Sequence, residues 1–204
     1  MTADSPDAGA TDPDVETCTR CPELCDSRSR IVNGVGPIDA EVVFVGEAPG
    51  ETEDERGEPF VGRSGEVLDD ALLAAGLDRR SVRITNCVRC RPPENRDPTA
   101  EERRNCREHL DHEIAVVDPE LVVTLGKVPA ESILDRSVSV TKEAGDTFEA
   151  RLGGAVRRVL VCVHPAATLY DPSQAETLDA ALTEAAAIAG VDSDGNGQSR
   201  LGDF

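Results

Sequence analysis

Short apolar runs that end in Gly, Asn or His recur along this chain and alternate with helical patterns, and that alternation limits the folds open to it. "AEVVFVG", Ala40 to Gly46, reads as a buried strand closed by glycine. "SGEVLDDALLAAGL" follows with Val67, Leu68, Ala71, Leu72 and Ala75 on one helical side. "SVRITN" is a short strand. "TAEERRNCREHLDHEIAVV" opens with Thr99 and Glu102 in capping-box spacing and continues as a helix. "ELVVTLG" is a strand, and "KVPAESIL" a short helix that accepts Pro129 in its first turn. "DTFEA" and "RRVLVCVHP" are strands, and an Ala-rich helix spans 173–189. Strands separated by helices imply an α/β fold, a mainly parallel sheet covered on both faces. Ligands in such folds bind beyond the carboxyl ends of the strands.

Three of those ends carry polar groups. Glu47 follows the strand ending at Gly46, Asn86 ends "RITN", and His164 follows "VLVCV". A parallel sheet brings all three to one crevice although they are far apart in sequence.

The chain has 204 residues and a net charge of −19, with 40 acidic residues against 21 basic. Only Lys127 and Lys142 are lysines. A dense acidic surface acts by self-repulsion, which molar salt screens to a Debye length of about 3 Å. The bulk charge therefore reads as adaptation to a salty cytoplasm rather than as a statement about the site. Residues 1–16 and 190–204 are polar and read as disordered tails around a single domain over 17–189. "DSDGNG" in the second tail lacks the Glu a calcium loop needs at its twelfth position. No apolar run approaches the ~20 residues of a membrane span, so no membrane partner is expected.

Seven cysteines are present. "CTRC" supplies Cys18 and Cys21, followed by Cys25; "CVRC" supplies Cys87 and Cys90; Cys106 and Cys162 stand apart. In a cytoplasmic chain such clustering points to metal or redox chemistry. Four thiolates suit zinc or a [4Fe-4S] cluster equally, and spacing alone leaves the choice of ligands open. Cys162, inside a strand, reads as a small buried hydrophobe.

Arginine is concentrated between Arg79 and Arg107, a segment with nine arginines, four acids and a net +5 in an otherwise acidic chain. Arg89, Arg91 and Arg96 flank a loop stiffened by Pro92 and Pro93 and are the candidates for contact with a phosphate backbone, because a planar guanidinium matches phosphate. The helical Arg103, Arg104 and Arg107 are as well placed for pairing with acids of this chain.

"VGEAPGETEDERGEPFVGRSGEVLDD", "ITNCVRCRPPENRDPTAEERRNC", "VTLG" and "VHPA", in this order, resemble the family 4 uracil-DNA glycosylases of bacteria and archaea over roughly residues 15 to 189. With the acidic composition, the resemblance points to a halophilic archaeon. It implies a three-layer α/β/α sandwich with a central four-stranded, mainly parallel sheet, and hydrolysis of the N-glycosidic bond of uracil in DNA. It also implies a [4Fe-4S] cluster on Cys18, Cys21, Cys90 and Cys106, leaving Cys25 and Cys87 as non-ligands. Its base pocket carries over to Glu47, Phe60, Asn86 and His164, with Gly46, Pro49 and Gly50 at the rim and Glu47 and His164 as catalytic groups. The partner implied is uracil-containing DNA, and the chain is expected to be a monomer. Ala144 and Ala167 depart from the family's pattern at positions where an Arg and an aromatic are common, which bears on DNA affinity. After His164, Leu169 or Tyr170 is expected to assist a wedge formed by Pro165 and Ala166. The competing reading is a non-catalytic DNA-binding member of the same fold.

Overall fold

The computed structural model describes residues 13–188 and Gly190. In chain order the elements are α1 (Pro22–Ser27), β1 (Val42–Gly46), α2 (Glu51–Arg56), α3 (Arg63–Ala74), β2 (Arg83–Asn86), a 3-10 turn (Pro93–Asn95), α4 (Ala100–Val117), β3 (Leu121–Leu125), α5 (Lys127–Leu134), α6 (Val140–Glu143), β4 (Thr147–Leu152), β5 (Ala155–Cys162), a second 3-10 turn (Pro165–Leu169) and α7 (Ser173–Ile188). The expected tails, including "DSDGNG", fall outside the described residues apart from 13–16 and Gly190. Within 13–16, Val15 N donates to Asn33 Oδ1 and Pro13 O accepts from Arg89 Nη1.

The strands form one mixed sheet in the order β2-β1-β3-β5-β4. β2, β1, β3 and β5 run parallel, as the alternation with helices requires. The expectation of four strands is corrected to five. β4 joins the edge antiparallel to β5 through a tight turn in which Gly153 and Gly154 both take positive φ. A two-stranded hairpin needs no crossover helix, so β4 adds a strand without adding a layer. Its side chains alternate between partly buried and exposed, and Glu149 and Arg151 face outward along this free edge.

Strand periodicity divides the core. Val42, Phe44, Val123, Leu125 and Leu160 join Leu68 and Leu72 of α3 and Leu178 and Leu182 of α7 in one cluster. Val43, Val45, Val122 and Val159 join Leu110, Ile114 and Val117 of α4 and Ile133 of α5 in another. Full burial of each such side chain contributes roughly 1.5–3 kcal/mol. The reciprocal Thr99–Glu102 box caps α4 as its spacing indicates. Among the described residues, no helix is long and apolar enough to cross a membrane.

A buried ionic group crosses this framework. Glu113 of α4 has no solvent exposure; Arg83 Nε donates to its Oε1 at 2.5 Å and Arg89 Nη2 to its Oε2 at 2.7 Å. Glu113→Ala strands two buried guanidinium groups and should cost about 3–5 kcal/mol. The measurement is the denaturant midpoint at fixed molar KCl; an unchanged midpoint would mean that water already solvates the pair.

Candidate functional site

At the carboxyl end of the sheet, Glu47, Ala48, Gly50, Glu53, Phe60, Ser64, Asn86 and His164 line a cavity of about 160 Å³. That is roughly five water volumes, the scale of one pyrimidine ring. Strand register delivers the side chains: Gly46 pairs with Asn86 across β1 and β2, while β5 ends two residues before His164. The four residues singled out by sequence for the base pocket meet here.

Gly46 is the floor. A Cβ at this position would collide with Asn86 Oδ1 and with the Phe60 ring. The missing side chain lets the ring and the amide close on the strand end. Phe60 itself takes φ +53°, in the left-handed region, and a Cβ on Gly65 would strike its carbonyl. Two backbone bonds to Glu53 Oε1, from Val61 N and Gly62 N, fasten the loop after Phe60 to α2. The ring lies 5.8 Å from the His164 ring, centroid to centroid, at an interplanar angle of 31°.

Asn86 is only 3% exposed. Among the described residues its side-chain amide has no protein hydrogen-bond partner, so both its donor and its acceptor are open to a ligand. His164 Nδ1 accepts from Ala166 N at 3.1 Å. That bond puts the neutral ring's proton on Nε2 and makes Nε2 a donor. Burial lowers the His164 pKa, opposed by the charge of Glu53, so the neutral form is favoured. Glu47 behaves in the opposite sense. Its pKa is raised to about 7, first by burial, then by the Asp97 carboxyl beside it, with Arg103 opposing.

Glu53, Ser64 and Asp97 were missed by sequence reasoning. Glu53 sits in the acidic run "ETEDER", where no local signal separates it from its neighbours. The Ala166 amide also orients His164, which the sequence did not signal. Beyond it, Leu169 is 40% and Tyr170 is 87% exposed. Ala144 packs against the core.

The arginines divide differently from expectation. Arg89 is corrected from a DNA contact to a buried brace at 1% exposure, with its guanidinium donating to Pro13 O, Asn33 Oδ1, His109 O and Glu113. Arg91 bonds Asn95 Oδ1 and the exposed Glu51. Arg96 grips both Glu102 oxygens and reaches Glu23. Arg103 and Arg104 form no ion pair among the described residues, though Arg103 donates to Pro98 O. They border a larger groove of about 670 Å³ between α4, α5 and β4, whose walls also carry Glu131, Asp135 and Glu149. Its mixed charge and lack of an aromatic platform make it a poorer base site than the smaller cavity.

The expected [4Fe-4S] centre is also corrected. Cys18, Cys21, Cys90 and Cys106 line a common cavity, but it measures about 20 Å³, room for about one water. Among the described residues no group of three or more His, Cys, Asp or Glu is placed to hold a metal ion, which removes zinc along with the cluster. The sulfurs have other partners. Arg28 Nη1 donates to Cys90 Sγ at 2.8 Å, Asn105 Nδ2 to Cys21 Sγ at 3.6 Å, and Cys25 Sγ to Cys18 O at 3.6 Å. Burial raises the Cys21 and Cys90 thiols and pushes Cys106 up to about 11, so these thiols are neutral near pH 7. All seven cysteines are free. Leu24, Val88, Cys90 and Cys106 form a small apolar cluster that joins the N-terminal segment to α4.

Residues 33–186 match the family profile described as "Uracil DNA glycosylase superfamily". A type-4 uracil-DNA glycosylase of Archaeoglobus fulgidus is 40% identical over 167 residues, covering 80% of this chain and 83% of the relative. One from Thermotoga maritima is 42% identical over 160 residues, covering 78% and 81%. A type-5 uracil-DNA glycosylase of Pyrobaculum aerophilum is 33% identical over 205 residues, covering 85% and 89%. A profile match spanning most of the chain, joined by relatives at about this identity across four-fifths of it, means that the chain belongs to the uracil DNA glycosylase superfamily.

Proposed function

We propose that this protein excises uracil from DNA by hydrolysing its N-glycosidic bond, the step that opens base excision repair. The carrying observation is the ring-sized cavity in which an aromatic face, an unpaired amide, a neutral imidazole donor and a carboxyl group converge. A base buried in duplex reaches such a cavity only by flipping out, at a cost of a few kcal/mol.

Phe60 stacks on the flipped base. Asn86 accepts from uracil N3–H and donates to O4; cytosine reverses that pattern, and each lost buried bond costs about 1–3 kcal/mol. His164 donates through Nε2 to O2, where negative charge develops as the bond breaks. Glu47 works as a carboxylate, either activating water or stabilising positive charge on the sugar. Gly46 permits the close approach of Phe60 and Asn86.

For the DNA backbone, Arg91 is the loop candidate, while Arg96 is held by both Glu102 oxygens and by Glu23. The Arg91–Glu51 pair, a half-buried guanidinium with an exposed carboxylate at 3.2 Å, is a weak surface pair, so a phosphate can displace the carboxylate. Arg107 is held by Asp111, Ser132 O and Arg151 O, which opposes such an exchange. The protein acts as a monomer, supported by large exposed apolar side chains that, among the described residues, are few and come mostly from separate elements. A cytoplasmic location fits seven free cysteines.

Base release from a single-uracil oligonucleotide, with thymine and cytosine controls, across a series up to molar KCl tests the reading. Uracil alone should be released, and Asn86→Ala should abolish discrimination together with most of the rate. Duplex binding without release by the folded protein at any salt would instead support a DNA-binding role without catalysis. The rate should rise with pH through about 7 as Glu47 loses its proton, then level off; a flat profile would remove the carboxylate from the reaction. In binding titrations Arg91→Ala should lower the salt slope by about 1. Arg107→Ala should leave that slope unchanged, and equal effects would refute the ordering.

A further inference from the structure

Phe60 keeps a left-handed backbone at φ +53°, which a bulky residue holds only where its surroundings over-determine it. The groups on either side of it are gripped from two directions. Arg79 Nη2 donates to Pro59 O at 2.7 Å. Arg56 Nη1 donates to Val61 O at 3.4 Å, while Glu53 Oε1 accepts from Val61 N at 3.3 Å and from Gly62 N at 3.1 Å. Glu53 and Arg56, one turn apart on α2, thus hold both polar backbone groups of Val61. Glu53 is the third residue of α2 after the N-cap Gly50. A glutamate there ordinarily turns back to the first amide of its own helix. Here its Oε1 goes to another segment, and glycine leaves room for both oxygens. A Cβ on Gly62 would stand 3.3 Å from Oε1, and one on Gly50 2.9 Å from Oε2.

The helix is anchored by the next residue. Asp54 is 1% exposed and accepts from Ser29 N with both oxygens, at 3.0 and 2.8 Å, and from Arg30 N at 3.3 Å. Neighbouring carboxylates of "ETEDER" therefore work in two directions. We propose that Glu53 is a positioning residue for Phe60: its Oε1 sets where the ring stands in the cavity, and α2 passes on to that ring the anchorage Asp54 takes from Ser29 and Arg30. The proposal rests on the reading of Phe60 as the face on which the flipped base stacks.

The role is one of reach rather than charge. The amides of Val61 and Gly62 need an oxygen at one place, and an amide oxygen there accepts both bonds, each weaker than to a carboxylate. Glu53 also lines the cavity, and its charge opposes the effect of burial on His164. Two substitutions separate these effects. Glu53→Gln keeps an oxygen at the same reach and removes the charge. Glu53→Asp keeps the charge and draws the oxygens back by one methylene, away from the loop.

The experiment is fluorine NMR of the full chain labelled with 3-fluorophenylalanine, titrated with free uracil and run beside single-turnover base release. The Phe60 resonance is identified by its loss in Phe60→Leu, and circular dichroism at the same molar KCl confirms that each variant is folded. Glu53→Asp should displace or broaden the Phe60 resonance, weaken its response to uracil and slow release on the order of tenfold to a hundredfold. Glu53→Gln should recover most of all three losses. A Phe60 resonance unchanged in Glu53→Asp overturns the proposal. So does the reverse order, with Glu53→Asp active and Glu53→Gln impaired, which would make the charge of Glu53 its function. A displaced resonance with release at the wild-type rate upholds the hold on the ring and overturns instead the reading of Phe60 as the stacking face. Absence of release from wild type overturns uracil excision, and the fluorine spectra then decide the role of Glu53 by themselves.

Discussion

A carboxylate without solvent exposure, Glu113, holds two guanidinium groups, and the placement of the site depends on it. Arg83 opens β2 and Arg89 follows its end, each three residues from Asn86. Both arms of the segment carrying the pocket's amide are thus pinned to α4. Arg89 extends the network to Pro13, Asn33 and His109, so the same charge also fastens the N-terminal segment. Buried ionic groups are expensive to desolvate and tolerate little misalignment once formed. Here that intolerance serves precision, because it fixes the strand end that carries the Asn86 amide.

A second constraint is the acidic surface of a protein that acts on a polyanion. The chain meets it by local arrangement rather than by net charge. Most arginines between Arg79 and Arg107 are paired internally: Arg79 with Asp69, Arg80 with Asp78, Arg96 with Glu102, and Arg107 with Asp111. The basic segment is therefore mainly a scaffold, and a smaller set of exposed or weakly paired guanidinium groups remains for phosphate. At molar salt the long-range repulsion is screened, leaving short-range contact to decide affinity. The cavity lies apart from this surface, lined by Phe60, Asn86 and His164 with Gly46 against two of them.

Much of the fold was legible because its signals are local. Thr99 and Glu102 are three residues apart, and the box they form appears as that spacing indicates. "KVPAESIL" became α5 at the same bounds, and the strands ending at Gly46, Asn86 and near His164 converge because a parallel sheet gathers its carboxyl ends. "DTFEA" was recognised as a strand, but its direction was not: Gly153 and Gly154 permit a hairpin, and that turn makes the sheet mixed. The cysteines misled for a related reason. Spacing says which thiols can approach one another, but not whether the space between them suits a cluster, water or an apolar contact.

By itself, the sequence determined the α/β alternation, the strand ends that carry chemistry and the residue types gathered there, since each depends on neighbours within a turn or a strand. Only the tertiary structure decided that Arg89 is a brace rather than a phosphate contact, that Glu53 and Ser64 join the pocket, and that burial rather than solvent surrounds Glu47. Those outcomes depend on partners tens of residues away. Burial and pairing are properties of the packed chain: the same arginine or carboxylate is a surface charge, a structural ion or a tuned acid according to what packing places beside it.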